Sequence, residues 1–221
     1  MPTATTLTAR ALLLDMDGTL VNSDAVVERV WRAWAVEHHI DPADVFAIMH
    51  GRQGYATMAE LLPGRPMEVN RAENARLLAI ETADVEGVVP IAGAGVFLEA
   101  CGRVPHALVT SADTALAEAR MAAAGLPMPG IRITAESVSA SKPDPEGFLK
   151  GAAELGADSA DCVVFEDSAA GIAAARAAGM RVVGIGPRAA ALAPTAYAAT
   201  LERVTLTPHP DGAVTITVAA P

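Results

Sequence analysis

The chain has 221 residues, 52% of them hydrophobic, enough to bury a substantial core and to exclude the disordered and fibrous classes. Its formal net charge of −10 argues against nucleic acid or an anionic membrane as a partner, because affinity for both comes from clustered Lys and Arg. No apolar run approaches the roughly 18 residues of a membrane span, so a soluble protein is expected.

In chain order, the start MPTATTLTAR lacks a basic region followed by a long apolar stretch, which predicts a protein that stays in the cytoplasm. Ala11 to Leu14 reads as a buried strand, and it runs into Asp15, Asp17 and Gly18. From about Ser23 to Pro90 the texture changes: charge rises, both tryptophans (Trp31 and Trp34) fall here, and the spacing is helical without a clear strand. This predicts an all-helical insertion over 23–90, with hinges near Asn22 and Gly87 to Gly95, where small residues and loop ends absorb backbone rotation. Trp31 and Trp34, three apart on one helix, are expected in its core.

Branched apolar segments then alternate with Ala-rich helical ones: Ala107 to Val109, Ile131 to Thr134, Val163 to Phe165 and Val182 to Ile185. Asp144 is placed as N-cap of a helix that has Pro145 at its first position and ends at Gly156. A second helix starts at Asp167 or Ser168 and stops at Gly179. These units predict an α/β, Rossmann-like doubly wound parallel sheet core built from 1–22 and 91–221. In the tail, 204–221, Asp211-Gly212 beside an alternating run predicts a terminal hairpin or edge strand. Cys101 and Cys162 have no paired spacing, and each sits in an apolar segment as a buried thiol suited to a reducing compartment.

Four segments near strand ends carry chemistry. Asp15 and Asp17 lie where open α/β sheets bind ligands, pointing the same way if the strand continues and with Asp17 turned out through the loop if it ends. Thr110 and Ser111 offer hydroxyls and backbone N–H groups at a helix start, a cradle for phosphate or simply a cap. Lys142, one of only two lysines in the chain, stands before Pro-Asp-Pro; the other, Lys150, is expected to face solvent. Glu166 and Asp167 end another apolar strand and offer hard oxygens suited to Mg²⁺, or another cap. Taken together and in this order, they point to phosphoryl chemistry. Four carboxylates converging on one sheet edge would raise one another's pKa unless Mg²⁺ and Lys142 answered them.

DMDGTL, VTS, SKPDP and VFEDSAAG resemble, in order and spacing, the four signature motifs of the haloacid-dehalogenase superfamily. The insertion resembles the helical cap of its sugar-phosphatase and phosphomutase branch. MHGRQGYATMAELLP and VFEDSAAGIAAARAAGM look most like the glycerol-phosphate and 2-deoxyglucose-6-phosphate phosphatases. The resemblance implies a Mg²⁺-dependent phosphomonoester hydrolase acting on a small phosphorylated metabolite. Asp15 would form an aspartyl-phosphate and Asp17 would serve as general acid and base. Thr110, Ser111 and Lys142 would hold the phosphoryl oxygens, and the metal would sit on Asp15, the Asp17 carbonyl and Asp167, with Glu166 nearby.

Dehalogenation is disfavoured because Asp17 is intact, and a Schiff-base mechanism because residues 23–90 contain no lysine. A β-phosphoglucomutase-like phosphoryl transfer is the nearer alternative, yet mutases carry a histidine where this chain has Val27. A catalytically silent sugar-phosphate-binding protein is the other. Within the cap, Arg52 and His50 are candidates for substrate contact, Tyr55 a further one, and a monomer is expected because the cap itself can close the site.

Overall fold

The structure, a computed structural model, describes residues 4–220; the expected core segments extend to residues 1–3 and 221, which lie outside the described residues. Strand β1 (Thr5–Ala9) precedes β2 (Ala11–Leu14), whose four side chains are all fully buried, as a parallel strand covered on both faces requires. After β3 (Val21–Asn22) come four helices, α1 (Asp24–Glu37), α2 (Pro42–Ile48), α3 (Gly54–Leu61) and α4 (Met67–Ala83), and the chain returns through β4 (Val89–Pro90). β4 pairs antiparallel with β3, Val21 opposite Pro90, so the strand-free reading of 23–90 needs one correction at its end. The two ends of the helical segment run side by side, and a short ladder satisfies their backbone groups.

The remaining elements alternate: α5 (Ala94–Cys101), β5 (His106–Val109), α6 (Thr114–Ala123), β6 (Ile131–Ile133), α7 (Glu146–Glu154), β7 (Cys162–Glu166), α8 (Ala169–Ala177), β8 (Arg181–Ile185), α9 (Gly186–Ala189) and β9 (Ala196–Ala198). The hairpin β10 (Val204–Pro208) and β11 (Val214–Val218) closes the chain, with Asp211-Gly212 in its turn as expected. β1 pairs with β11 to make a separate three-stranded antiparallel sheet, a pairing the sequence reading did not foresee.

The main sheet has six parallel strands in the order β6-β5-β2-β7-β8-β9. Side chains of β2 alternate between its two faces. Leu12 and Leu14 join a core with Phe97 of α5, Met121 of α6 and Ile216 of β11; Ala11 and Leu13 join a second with Phe148 of α7 and Ile172 of α8. Helices therefore cover both faces, the doubly wound arrangement expected. Trp31 and Trp34 are buried edge to face, with ring centroids 5.3 Å apart, in the first of these cores.

Helix ends follow local chemistry. Ser168 caps α8 by accepting the Gly171 N–H at 3.1 Å, and at the other end Gly179 and Met180 N–H groups return to Arg176 and Ala175 carbonyls, both at 2.9 Å. α7 begins regularly at Glu146, with Pro145 as the boundary residue, one position later than the sequence suggests; Asp144 still accepts the Glu146 N–H at 2.9 Å. Lys150 is exposed and pairs with Glu146 one turn back at 2.7 Å. Both cysteines are free and buried. Among the described residues no helix is long and apolar enough to cross a membrane.

Candidate active site

From β2 the chain passes to β5 and β6 on one side, then returns to β7, β8 and β9 on the other. Ligands of open α/β sheets bind beyond the carboxyl ends of the strands at such a reversal. Those ends deliver Asp15 from β2, Thr110 from β5, and Glu166 with Asp167 from β7. Lys142 arrives from the loop before α7, through a cis peptide bond to Pro143.

Lys142 Nζ donates to Asp15 Oδ1 at 2.6 Å, Glu166 Oε1 at 3.0 Å and the Val109 carbonyl at 3.2 Å, which uses all three ammonium protons. Glu166 is fully buried, and its other bonds come from the Asp167 N–H at 2.5 Å and the Ser168 N–H and hydroxyl, both at 3.1 Å. Both of its oxygens are thus engaged by protein donors. One oxygen from each of Asp15, Glu166 and Asp167 falls within 4.8 Å of the others.

Burial and the Glu166 charge push the Asp15 carboxyl up to about 7 against the pull of Lys142. Asp167 is pushed well above the usual range by burial, Glu166 and Asp15, against Arg188. For Lys142, burial opposes the charge, but Asp15 and Glu166 hold it above the ordinary lysine value.

Asp17 does not join this group. Its carboxylate leaves through the loop, where Oδ1 accepts from Ser23 Oγ at 2.7 Å and Oδ2 pairs with Arg120 at 2.9 Å. Asp17 takes the course through the loop that the end of the strand allows: β2 stops before it and Gly18 turns the chain at φ +86°. A Cβ at Gly18 would lie 2.1 Å from Asp167 Oδ2, so no larger residue fits there.

Thr110 Oγ1 accepts the Ala112 N–H at 3.1 Å, and Ser111 Oγ donates to the Gly51 carbonyl at 3.0 Å. Neither caps α6; Asp113 does, accepting the Leu116 N–H at 2.8 Å. The helical segment reaches the site through residues 49–53, where the Gln53 N–H donates to Ser141 Oγ at 2.8 Å. Arg52 borders the cavity and pairs with Glu60 at 2.6 Å; His50 borders it too, its pKa lowered by burial and then by Arg188. Trp31, Asn74 and Glu81 line the far wall. Tyr55 is absent from the lining; its ring lies under Arg71, with the guanidinium carbon 5.5 Å from the ring centroid.

Two arginines escaped the sequence reading. Arg188 Nε donates to Asp167 Oδ2 at 2.7 Å while its Nη1 reaches both oxygens of Asp24 on α1, at 3.0 and 3.1 Å. Its place just after β8, at the same sheet edge, was the available signal. Arg120 lies within α6 and carried none.

The turn into α8 tolerates no side chain at Gly171: a Cβ there would sit 1.5 Å from Glu166 Oε1. Glycine to alanine inside a helix ordinarily gains about 1 kcal/mol. Here overpacking outweighs that gain, and Gly171→Ala is expected to lose about 1–3 kcal/mol in urea unfolding. A wild-type midpoint would contradict this packing.

A family model described as haloacid dehalogenase-like hydrolase matches residues 9–179. Hexitol phosphatase A of Escherichia coli strain K12 is 37% identical over 214 residues, 94% of this chain and 98% of its own. Glycerol-1-phosphate phosphohydrolase 2 of Saccharomyces cerevisiae is 32% identical over 191 residues, covering 81% and 75% respectively. The crystal structure of β-phosphoglucomutase from Clostridium difficile superposes with a TM-score of 0.70 at 17% identity, over 89% of this chain and 93% of the other, a likeness of fold alone.

Proposed function

Because the chain belongs to the haloacid dehalogenase-like hydrolases and is a phosphatase of small phosphorylated metabolites, we propose that it hydrolyses an acyclic polyol phosphate or a sugar phosphate through an aspartyl-phosphate on Asp15. The observation that carries this reading is the buried constellation of Asp15, Lys142, Glu166 and Asp167 at the reversal of the sheet. Hexitol and glycerol phosphates, named in the two relatives, are both phosphorylated open-chain polyols.

The donor set fits Mg²⁺: buried carboxylate oxygens, two of them with pKa values raised by burial and then by neighbouring carboxylates, an arrangement that a cation would relieve. Asp15 and Asp167 would hold the ion with the Asp17 carbonyl, and Glu166, already saturated by Lys142 and N–H donors, would stand behind them. The bound ion supplies positive charge against the phosphoryl oxygens and keeps Asp15 ionised.

In the first step an Asp15 carboxylate oxygen bonds to phosphorus as the ester P–O bond breaks, and Asp17 gives its proton to the departing alkoxide. In the second, Asp17 takes a proton from water as that water attacks phosphorus, releasing inorganic phosphate and restoring Asp15. Lys142, the Thr110 hydroxyl and the Ser111 N–H hold the phosphoryl oxygens, and positioning with charge compensation accounts for most of the catalysis. Residues 23–90 act as a cap over the core of 1–22 and 91–221, a division supported by the contacts of residues 49–53 and by the Asp24–Arg188 pair. His50 and Arg52 then face the substrate from the cap. Since the cap lines the site within one chain, a monomer in the cytoplasm suffices.

Phosphate release from hexitol phosphates, glycerol phosphates and hexose 6-phosphates, with and without Mg²⁺, tests the reading. Metal-dependent turnover led by a polyol phosphate is expected. No release from any ester would refute it, and isomerisation of β-glucose 1-phosphate would favour the transfer alternative that Val27 speaks against.

Metal binding carries its own pH signature. Asp15 has its folded pKa raised to about 7, so the metal-free protein is stabilised by that group at low pH and loses the contribution as pH rises through about 7. Mg²⁺ must displace that proton. The rise in Tm on adding Mg²⁺ is therefore expected to be larger at about pH 8 than at about pH 5, measured by scanning calorimetry. Equal shifts at both would contradict it.

A further inference from the structure

Arg120 is 3% exposed in the last turn of α6, yet it joins two acidic groups from different parts of the chain. Nη1 lies 2.9 Å from Asp17 Oδ2, and Nη2 lies 2.6 Å from Glu81 Oε2 in the last turn of α4. Burying the Arg120–Glu81 pair is a poor route to stability, since desolvation offsets most of the attraction and a well-packed apolar set does as well. Its location is more informative. Ser23, the N-cap residue of α1, holds the other Asp17 oxygen at 2.7 Å. The first and last parts of the helical segment therefore both reach one carboxylate, Ser23 directly and Glu81 through Arg120.

We propose that Arg120 is a positioning residue that holds Asp17 toward the leaving group, and that Glu81 ties this hold to the seating of α4 over the site. The inference rests on the reading of Asp17 as general acid. With Oδ2 gripped by Arg120, Oδ1 is the oxygen free to carry the proton to the departing alkoxide, sharing only the Ser23 hydroxyl. When α4 lifts from the core, Glu81 leaves with it and Arg120 loses one of its two anchors. Proton delivery is then coupled to closure over substrate.

The leaving group distinguishes positioning of an acid from general structural support. An alkyl ester needs a proton on its departing oxygen, whereas the nitrophenolate of p-nitrophenyl phosphate leaves without one. The experiment compares kcat/KM on the best alkyl ester of the panel and on p-nitrophenyl phosphate for wild type, Arg120→Met, Arg120→Lys and Asp17→Asn. Arg120→Met is expected to lose about 10²-fold on the alkyl ester and no more than about threefold on the aryl ester, with part of the alkyl rate restored in Arg120→Lys. Should Arg120→Met fail to fold with Glu81 unpaired, the Glu81→Gln/Arg120→Met pair removes both charges and is read the same way. Equal losses on both esters, or none, would overturn the inference. An Asp17→Asn variant without the selective alkyl loss would instead remove the acid assignment on which it stands.

Discussion

Replacing the proposed nucleophile Asp15 by asparagine is expected to lower phosphate release by at least about 10⁴-fold, because a residue acting as part of a covalent unit takes nearly the whole mechanism with it. The amide keeps the shape and one acceptor for Lys142, 2.6 Å away. Folding is not expected to suffer. The Asp15 carboxyl is pushed up to about 7 by burial and Glu166, so at neutral pH its charge costs stability, and asparagine mimics the protonated form. Tm should match or exceed that of metal-free wild type, by calorimetry at about pH 8. An inactive variant that is also unfolded would leave the residue a structural rather than a chemical role, and an active one would refute the covalent route.

The second large effect concerns Lys142. Lys142→Met removes the one cation that, among the described residues, Asp15 and Glu166 share, both carboxylates being nearly inaccessible. Breaking a buried pair from one side costs about 3–5 kcal/mol, partly recovered when a carboxyl takes up a proton. Loss of the phosphoryl contact adds a fall of about 10²–10³-fold in turnover. The two consequences separate in Lys142→Met/Glu166→Gln, which removes one stranded charge: urea unfolding should recover toward wild type while phosphate release does not. Because the stranded carboxylates are neutralised by acid, the stability deficit of the single variant should shrink as pH falls. A deficit independent of pH would place its origin in packing, the Lys142 ammonium lying 5.0 Å from the centre of the Phe148 ring.

The sheet and the motif residues were legible for one reason. Parallel strands buried on both faces carry continuous apolar runs, so Ala11–Leu14 and Cys162–Glu166 stand out, and the polar residues that follow them are placed at the sheet edge by the strands alone. β1 was illegible because its threonines face outward and its partner β11 comes from the opposite end of the chain. β9, three residues long, offered too short a pattern. Arg120 was illegible for a different reason. In TALAEARMAA it reads as an ordinary last-turn cation, and its partners belong to tertiary structure that no local pattern encodes. Arg188 shows the intermediate case, an unremarked residue at a position where strand order alone directs attention.

In the proposed reading, the convergence of Asp15, Asp167 and Lys142 would let a chain of net charge −10 bind a phosphate ester. Locally, Lys142, Arg188 and Arg120 face the acidic groups, and a bound cation would tip the remaining balance toward the anion.

Mass spectrometry of the acid-quenched enzyme reads the covalent step itself. During turnover of the best ester, the tryptic peptide spanning 11–29 is expected to carry one phosphoryl group, localised to Asp15 by fragmentation and absent in Asp15→Asn. Substrate consumed in a single turnover with no phosphoryl group on that peptide, or with one on any other residue, would rule out Asp15 as the nucleophile.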